Sequence, residues 1–217
     1  MSEAASKARL GVLISGRGSN MAALLDAAAR DPAYPAEPVL VVSNVPGAPG
    51  LALAAARGVP VATVPSRGRA REDFEAELSA ALDAARVEVL ALAGFLRVLT
   101  PGFVARWAGR MLNVHPSLLP AFPGLDTHAR ALARGVRLHG CTVHLVTEGV
   151  DGGPILAQAA VPVLPGDTAE ALAARVLAQE HRLYPAALAD FLRGGGSGGD
   201  APRAPGASEA PSDPLPP

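Results

Sequence analysis

The composition of this 217-residue chain allows one domain with a sizeable core, or at most two small ones. A formal net charge of -1, with arginines scattered among acids, offers no basic face to nucleic acid. The single cysteine, Cys141, excludes an internal disulfide and a multi-cysteine zinc site. Residues 1–9 lack the apolar segment of a signal peptide, and the most apolar run, residues 89–96, is too short to span a membrane. We therefore expect a cytoplasmic protein without a nucleic-acid or membrane partner.

The first segment, residues 10–30, has the pattern of a strand, a glycine loop and a helix. The apolar run 10–14 leads into S-G-R-G-S-N, and in residues 21–30 the apolar side chains recur on one helical face. Glycines allow close backbone approach, and free N–H groups at a helix start bind anions; Ser19 and Asn20 are also favoured N-cap residues. The third glycine and later acid of a dinucleotide fingerprint are absent, as is a P-loop lysine. The loop predicts a monophosphate site, with simple strand-to-helix geometry as the alternative.

The same alternation of strand and helix continues to residue 92. Apolar strands at residues 39–43, 61–64 and 87–92 alternate with helical segments at 50–57 and 69–86. This order predicts an α/β fold with a mostly parallel central sheet and helices on both faces. Ligands of such sheets bind at the carboxyl ends of the strands.

Two features reach that edge of the predicted sheet. Arg71 opens a helix there, where a ligand contact and a solvated charge explain it equally well. Residues 93–99 end a strand on a glycine, and their backbone can line a flat aromatic ligand, although Phe95 and Leu96 taken alone are predicted to be core. A helix then begins after Thr100 as its cap.

The residues with the clearest chemistry lie in M-L-N-V-H-P-S-L-L-P-A-F-P-G and T-E-G-V-D-G-G. Asn113 and His115 are two positions apart in an extended apolar run, so their side chains project to the same side. Pro116 and the later prolines favour an irregular loop. Asp151 lies downstream in a turn flanked by glycine. An amide donor, a titratable ring and an acid are the minimum set for proton transfer beside a developing oxyanion.

Residues 139–146 alternate as an antiparallel strand, with His139 on one face and Thr142 and His144 on the other. A histidine in a strand is usually a hydrogen-bonded structural residue. His139, Thr142 and His144 therefore either stabilise the strand or support the site from a second layer. The histidine spacings do not suit a metal.

The last elements are a strand at residues 155–164 and a long helix at 169–192, capped by Asp167 or Thr168. The Gly/Pro-rich tail, residues 194–217, has too little apolar surface to bury. We predict that this tail is disordered.

Five motifs together resemble the phosphoribosylglycinamide formyltransferases, folate-dependent enzymes of purine synthesis. The motifs are S-G-R-G-S-N, A-G-F-L-R-V-L, L-N-V-H-P-S-L-L-P, V-D-G-G-P and Q-E-H-R-L-Y-P, and the similarity covers residues 10–188. The resemblance implies a Rossmann-like formyltransferase fold over residues 8–193, with a phosphate-binding half at residues 10–100 and a folate-binding and catalytic half at residues 101–193. It implies transfer of a formyl group from 10-formyltetrahydrofolate, a co-substrate, to the amine of N1-(5-phosphoribosyl)glycinamide, two small-molecule ligands, without a metal.

Residue roles also follow from the resemblance. The implied catalytic residues are Asn113, His115 and Asp151. The residues implied to bind the phosphate, ribose and amine end of the substrate are Gly18, Ser19, Asn20 and Glu180. The implied folate contacts are Arg71, Leu96, Arg97, Val98, Leu99, Asn113, Thr147, Glu148, Gly149, Val150 and Asp151. One departure is Asp126, which stands where a histidine is common in the family and leaves the contribution of its loop open.

Other functions remain alternatives at this point. A formyltetrahydrofolate deformylase would use the same Asn, His and Asp, but the similar hydrolases carry an N-terminal regulatory domain, and about nine residues precede the first strand here. A methionyl-tRNA formyltransferase would need a basic RNA-binding domain at its C-terminus. A non-catalytic nucleotide-binding module would explain the sheet and the glycine loop but not the three polar residues. The sequence leaves the choice between monomer and homodimer open.

Overall fold

Seven strands and six helices alternate over residues 6–194, the part of the chain that the computed structural model describes. The strands are β1 (Ala8–Ile14), β2 (Ala36–Ser43), β3 (Val61–Thr63), β4 (Val89–Leu92), β5 (Met111–His115), β6 (Leu138–Leu145) and β7 (Ile155–Pro162). The helices are α1 (Ser19–Arg30), α2 (Pro49–Ala55), α3 (Arg71–Ala84), α4 (Pro101–Arg106), α5 (Thr127–Ala133) and α6 (Ala169–Arg193). The predicted disordered tail lies outside the described residues except for Gly194. No helix within residues 6–194 is long and apolar enough to cross a membrane.

The strands form one sheet in the order β3-β2-β1-β4-β5-β6-β7. Neighbours from β3 to β5 are parallel, whereas β6 is antiparallel to β5 and β7 is antiparallel to β6. The predicted mostly parallel sheet is therefore confirmed. Because β1 lies between β2 and β4, the direction of strand addition reverses at β1 and β4, and a crevice opens at their carboxyl ends.

Helices cover both faces of the sheet, as predicted. One apolar core lies between the sheet and α1, α2, α5 and α6, and the other lies between the sheet and α3 and α4. Strand β1 contributes to both cores: Leu10, Val12 and Ile14 point into the first core, and Leu13 points into the second. A strand that is buried on both faces needs a continuous apolar sequence rather than an alternating one.

The predicted helix caps are partly wrong. Neither Ser19 nor Asn20 caps α1: the N-cap is Gly18, in the left-handed conformation with φ of 72°, and Ser19 is already helical. At α6 the cap is Thr168, whose hydroxyl accepts a backbone N–H of the first turn at 3.2 Å. Asp167 instead forms an ion pair with an arginine of the same helix.

Helix α6 is attached to the middle of the sheet through Tyr184. Its side chain is fully buried, and its hydroxyl lies 3.0 Å from the carbonyl oxygen of Leu112 and 3.2 Å from that of Leu92. The hydroxyl therefore contacts the last residue of β4 and the second residue of β5, the two strands that lead into the crevice.

Candidate active site

A cavity of about 640 Å³ lies at the carboxyl end of β4 and β5. This volume is typical of sites that enclose a small organic molecule. Its walls come from residues 92–99 after β4, the end of β5, the loop at residues 124–127 and the segment at residues 144–151.

Most of the residues that the sequence pointed to line this cavity. The lining residues among them are Asn20, Leu96, Arg97, Val98, Leu99, Asn113, His115, His144, Thr147, Glu148, Gly149, Val150, Asp151 and Glu180. The structure thus brings together segments that are up to 160 positions apart in the chain. Their individual roles in catalysis and binding stay predictions.

Five predicted residues do not line the cavity: Gly18, Ser19, Arg71, Thr142 and His139. Arg71 is exposed at the start of α3. Thr142 lies on the same face of β6 as His144, one pair further along the strand, and His139 lies on the opposite face.

The glycine loop owes part of its composition to packing. A side chain at Gly18 would approach the backbone of Gly50 to 2.9 Å, and the N–H of Gly50 donates to the carbonyl of Gly16 at 3.0 Å. Close contact between the loop and the start of α2 therefore requires glycine whether or not a phosphate binds. The loop still precedes α1, and the side chain of Asn20 in its first turn reaches the cavity.

The polar cluster of the site is formed where β5 and β6 pair. Asn113 is directly opposite His144, and His115 is directly opposite Thr142. Directly opposed side chains on one face of a sheet lie close enough to interact. Both pairs lie on one face of the sheet, and three of the four side chains, those of Asn113, His115 and His144, line the cavity.

His144 orients the amide of Asn113. The Nδ1 atom of His144 lies 2.9 Å from the carbonyl oxygen of Leu145, so this nitrogen carries a proton and donates. The other ring nitrogen, Nε2, then accepts from Nδ2 of Asn113 at 3.2 Å. Burial lowers the pKa of His144 below its ordinary value, which favours this neutral form. One N–H of the amide remains for a ligand.

His115 lies between a carboxylate and a main-chain carbonyl. Its Nδ1 is 3.3 Å from Oδ2 of Asp151, and its Nε2 is 3.0 Å from the carbonyl oxygen of Phe122. Both nitrogens face oxygen acceptors, so the doubly protonated ring can donate to both. The same Oδ2 of Asp151 accepts the N–H of Gly124 at 2.8 Å. The pair is well shielded, with side chains 7% and 11% exposed.

The aspartate and the last glycine of the D-G-G motif are each required for a different structural reason. Asp151 has a φ of 52°, a left-handed conformation that aspartate tolerates better than most residues. Gly153 approaches the carbonyl of Leu145 so closely that a Cβ would lie 1.8 Å from its oxygen. Glycine therefore lets the turn fold back against β6, which brings the carboxylate of Asp151 to His115.

A second polar pair joins α1 to α6 at the cavity. Nδ2 of Asn20 donates to Oε2 of Glu180 at 2.6 Å, and both side chains are buried. Burial raises the pKa of Glu180, while the hydrogen bond from Asn20 opposes this shift. An amide and a carboxylate with free lone pairs can hold hydroxyl or ammonium groups of a ligand.

Sequence reasoning missed the loop at residues 124–127 and part of the apolar wall. The additional lining residues are Leu92, Val104, Val114, Pro116, Gly124, Leu125, Asp126, Thr127 and Val146. Gly94 and Phe95 also line the cavity and lie within the segment at residues 93–99 that the sequence pointed to. The expectation that Leu96 is core is wrong, because its side chain is 75% exposed at the cavity rim. Leu96 lies four residues after the end of β4, in the loop that follows the strand, and this position indicates a cavity wall rather than a core position.

A family model described as formyl transferase matches residues 8–188. The chain belongs to the formyl transferase family. It is 45% identical over 184 residues to the phosphoribosylglycinamide formyltransferase of Escherichia coli (strain K12), covering 84% of this chain and 86% of that protein. The crystal structure of phosphoribosylglycinamide formyltransferase from Brucella melitensis is 54% identical, with a TM-score of 0.82 over 86% of this chain and 96% of that one. The resemblance inferred from the motifs is confirmed.

Larger relatives contain a region similar to this chain. The trifunctional purine biosynthetic protein adenosine-3 of Drosophila melanogaster is 50% identical over 189 residues, which are 86% of this chain and 14% of that protein. The chain thus spans about a seventh of the length of this relative.

Proposed function

We propose that this protein transfers the formyl group of 10-formyltetrahydrofolate to the amine of N1-(5-phosphoribosyl)glycinamide, a step of purine synthesis. The observation that carries the proposal is the convergence of Asn113, His115 and Asp151 at one point of a cavity that also reaches Asn20 and Glu180. The name and coverage of the Escherichia coli relative support the same substrates. A folate-derived formyl donor also agrees with the family.

The reaction forms a bond between the amine nitrogen and the formyl carbon and breaks the bond from that carbon to the folate nitrogen. A tetrahedral species lies between the two steps, and its oxygen carries negative charge. The free N–H of Asn113 donates to this oxygen, and the charged ring of His115 stabilises it electrostatically. Such preorganised donors are usually the largest contribution to catalysis of acyl transfer.

Proton transfer completes the reaction. The amine loses a proton as it attacks, and the folate nitrogen gains one as it leaves. We assign this transfer to His115 and Asp151, directly or through a water, because their contact of 3.3 Å lets the carboxylate stabilise the imidazolium. The apolar wall around Leu96–Leu99 binds the flat folate rings, and Asn20 with Glu180 binds the ribose and amine end of the second substrate.

The test is a spectrophotometric assay of tetrahydrofolate release from 10-formyltetrahydrofolate, with and without glycinamide ribonucleotide. The proposal predicts turnover that depends on the amine and yields the formylated product. Amine-independent release of formate would identify a deformylase, and binding without turnover would identify a nucleotide-binding module. His115→Gln should abolish turnover. The matched control is His181→Gln in α6, outside the cavity, which should retain it.

A further inference from the structure

The loop at residues 116–124 contacts the proposed catalytic pair at two points through its main chain. The carbonyl oxygen of Phe122 lies 3.0 Å from Nε2 of His115, and the N–H of Gly124 donates to Oδ2 of Asp151 at 2.8 Å. A shift of this loop would therefore move the ring and the carboxylate relative to each other.

The hydroxyl of Thr142 in β6 attaches the start of this loop to the sheet. Oγ1 of Thr142 donates to the carbonyl of Ser117 at 2.7 Å and accepts the N–H of Leu119 at 3.0 Å. It also accepts Nε2 of Gln158 at 2.9 Å. One donor and two acceptor positions are all that a hydroxyl has, so every one is used. The residue is fully buried, which makes each lost partner costly.

Gln158 extends the attachment from β7. Its Nε2 also donates to the carbonyl of Leu119 at 2.8 Å, so Leu119 is held through both its N–H and its C=O. Neither Thr142 nor Gln158 lines the cavity. Thr142 is, however, directly opposite His115 in the pairing of β5 and β6. The residue that holds the loop and the ring that the loop contacts are therefore neighbours in the sheet.

We propose that Thr142, assisted by Gln158, is a positioning residue that sets the geometry of His115 and Asp151 through the loop at residues 116–124. This inference rests on the proposed function for its kinetic consequences. Misplacement of catalytic groups by about 1 Å can lower turnover about 10²-fold. Because Thr142 does not line the cavity, we expect its contribution to appear in kcat rather than in substrate affinity.

The test compares Thr142→Val, which replaces the hydroxyl by a methyl group of similar volume, with Thr142→Ser, which keeps the hydroxyl. We expect kcat to fall by about 10- to 100-fold in Thr142→Val and to stay near the parental value in Thr142→Ser. KM for glycinamide ribonucleotide should be unchanged in both, because Asn20 and Glu180 are not in contact with the loop anchor. Equal loss in the two variants, or parental kcat in Thr142→Val, would overturn the proposal.

A matched control separates positioning from stability. Thr168→Val removes another threonine hydroxyl that accepts a backbone N–H, at the start of α6 and away from the loop. It should lower the melting temperature and leave kcat unchanged, and a comparable loss of kcat would mean that turnover only follows stability. If Thr142→Val does not fold, Gln158→Leu decides, because Gln158 is exposed and its replacement leaves the Thr142 hydroxyl and its bonds to the loop in place. Parental kcat in Gln158→Leu would then overturn the proposal.

Hydrogen exchange provides a readout that does not need the reaction. The amide of Leu119 should lose protection in Thr142→Val and keep it in Thr142→Ser. If the parent protein shows no amine-dependent turnover, the proposed function fails, while this exchange experiment still confirms or refutes the anchoring of the loop by Thr142.

Discussion

Asp151→Asn is the substitution that best separates a structural from a catalytic role of the D-G-G turn. The backbone of Asp151 is left-handed, with a φ of 52°, and asparagine adopts this conformation at least as readily as aspartate. The amide oxygen of asparagine can still accept the N–H of Gly124, which Oδ2 of Asp151 accepts at 2.8 Å. The variant should therefore fold with the turn intact and lose the negative charge that lies 3.3 Å from Nδ1 of His115 and 3.7 Å from Nε2 of His144.

The size of the effect follows from the contact between the carboxylate and the ring. Two unit charges 3.3 Å apart interact by about 5 kcal/mol at an effective dielectric constant of about 20, and by about 1 kcal/mol in bulk water. The low exposure of both side chains, 7% and 11%, favours the larger value. The dipole of the asparagine amide retains part of this interaction energy with the ring. Since about 1.4 kcal/mol corresponds to a tenfold change in rate, we expect kcat to fall by about 10²–10³-fold.

The measurement is steady-state turnover with 10-formyltetrahydrofolate and glycinamide ribonucleotide, together with calorimetric affinities of both ligands. Affinities and melting temperature should stay close to parental values. Asp126→Asn is the matched control, because Asp126 also has a left-handed backbone, with a φ of 55°, and also lines the cavity. It is exposed, and its side chain does not cap α5. This control should retain turnover.

Two results would refute the reasoning. A kcat of Asp151→Asn within about threefold of the parent would correspond to less than 1 kcal/mol of barrier, too little for a shielded charge pair. An equal loss in Asp126→Asn would mean that the net charge of the cavity matters, rather than the contact with His115.

Three further predictions concern other parts of the chain. Ser19→Asp places a negative charge at the start of α1, so the affinity for glycinamide ribonucleotide should fall in calorimetry while folate affinity is spared; equal loss of both would make the loop structural. Burial lowers the pKa of His139 from 6.5 to about 4. Between pH 6.5 and about pH 4, the unfolded chain therefore binds this proton and the folded chain does not. The free energy of unfolding should fall as the pH is lowered through this range, by up to about 3 kcal/mol. His139→Phe should flatten this part of the pH dependence in urea unfolding, and an unchanged slope would contradict the assignment. Tyr184→Phe removes the hydroxyl that contacts the carbonyls of Leu92 and Leu112, and it should lower the free energy of unfolding by about 1–2 kcal/mol in the same urea assay. A change smaller than the error of the assay would contradict a stabilising role of this contact.

The sequence predicted the layered fold because its signals are local. Continuous apolar strands, amphipathic helices and the glycine turns between them each depend on a few adjacent residues, and their alternation permits few topologies. The cap of α1 was the local exception. Ser19 and Asn20 have suitable side chains, but Gly18 takes the cap position because contact with Gly50 leaves no room for a side chain.

The site was predictable to the extent that its residues lie in short motifs. Asn113 and His115 share a face because of strand alternation, which the sequence contains. The pairing of Asn113 with His144 and of His115 with Thr142 depends on the register between β5 and β6. Register is set by tertiary packing, and a shift of one residue would invert the faces. The loop contacts of Phe122 and Gly124 depend on irregular backbone, for which no periodic signal exists.

The change of strand direction after β5 explains why the polar residues meet at this sheet edge. The parallel strands β1 to β4 contribute chiefly their carboxyl ends and the following loops to ligand sites. At β5 and β6 the antiparallel pairing instead places interior strand residues, Asn113 and His144, side by side on one face. The chain then leaves β6 and turns back through Gly153, so that Asp151 covers the same face from above and approaches His115 to 3.3 Å. The geometry of donor, ring and acid therefore depends on one antiparallel pair and one turn, and both come from residues 111–153. We therefore expect substitutions of Asn113, His115 and Asp151 to affect kcat, whereas those at Asn20 and Glu180 should affect substrate affinity.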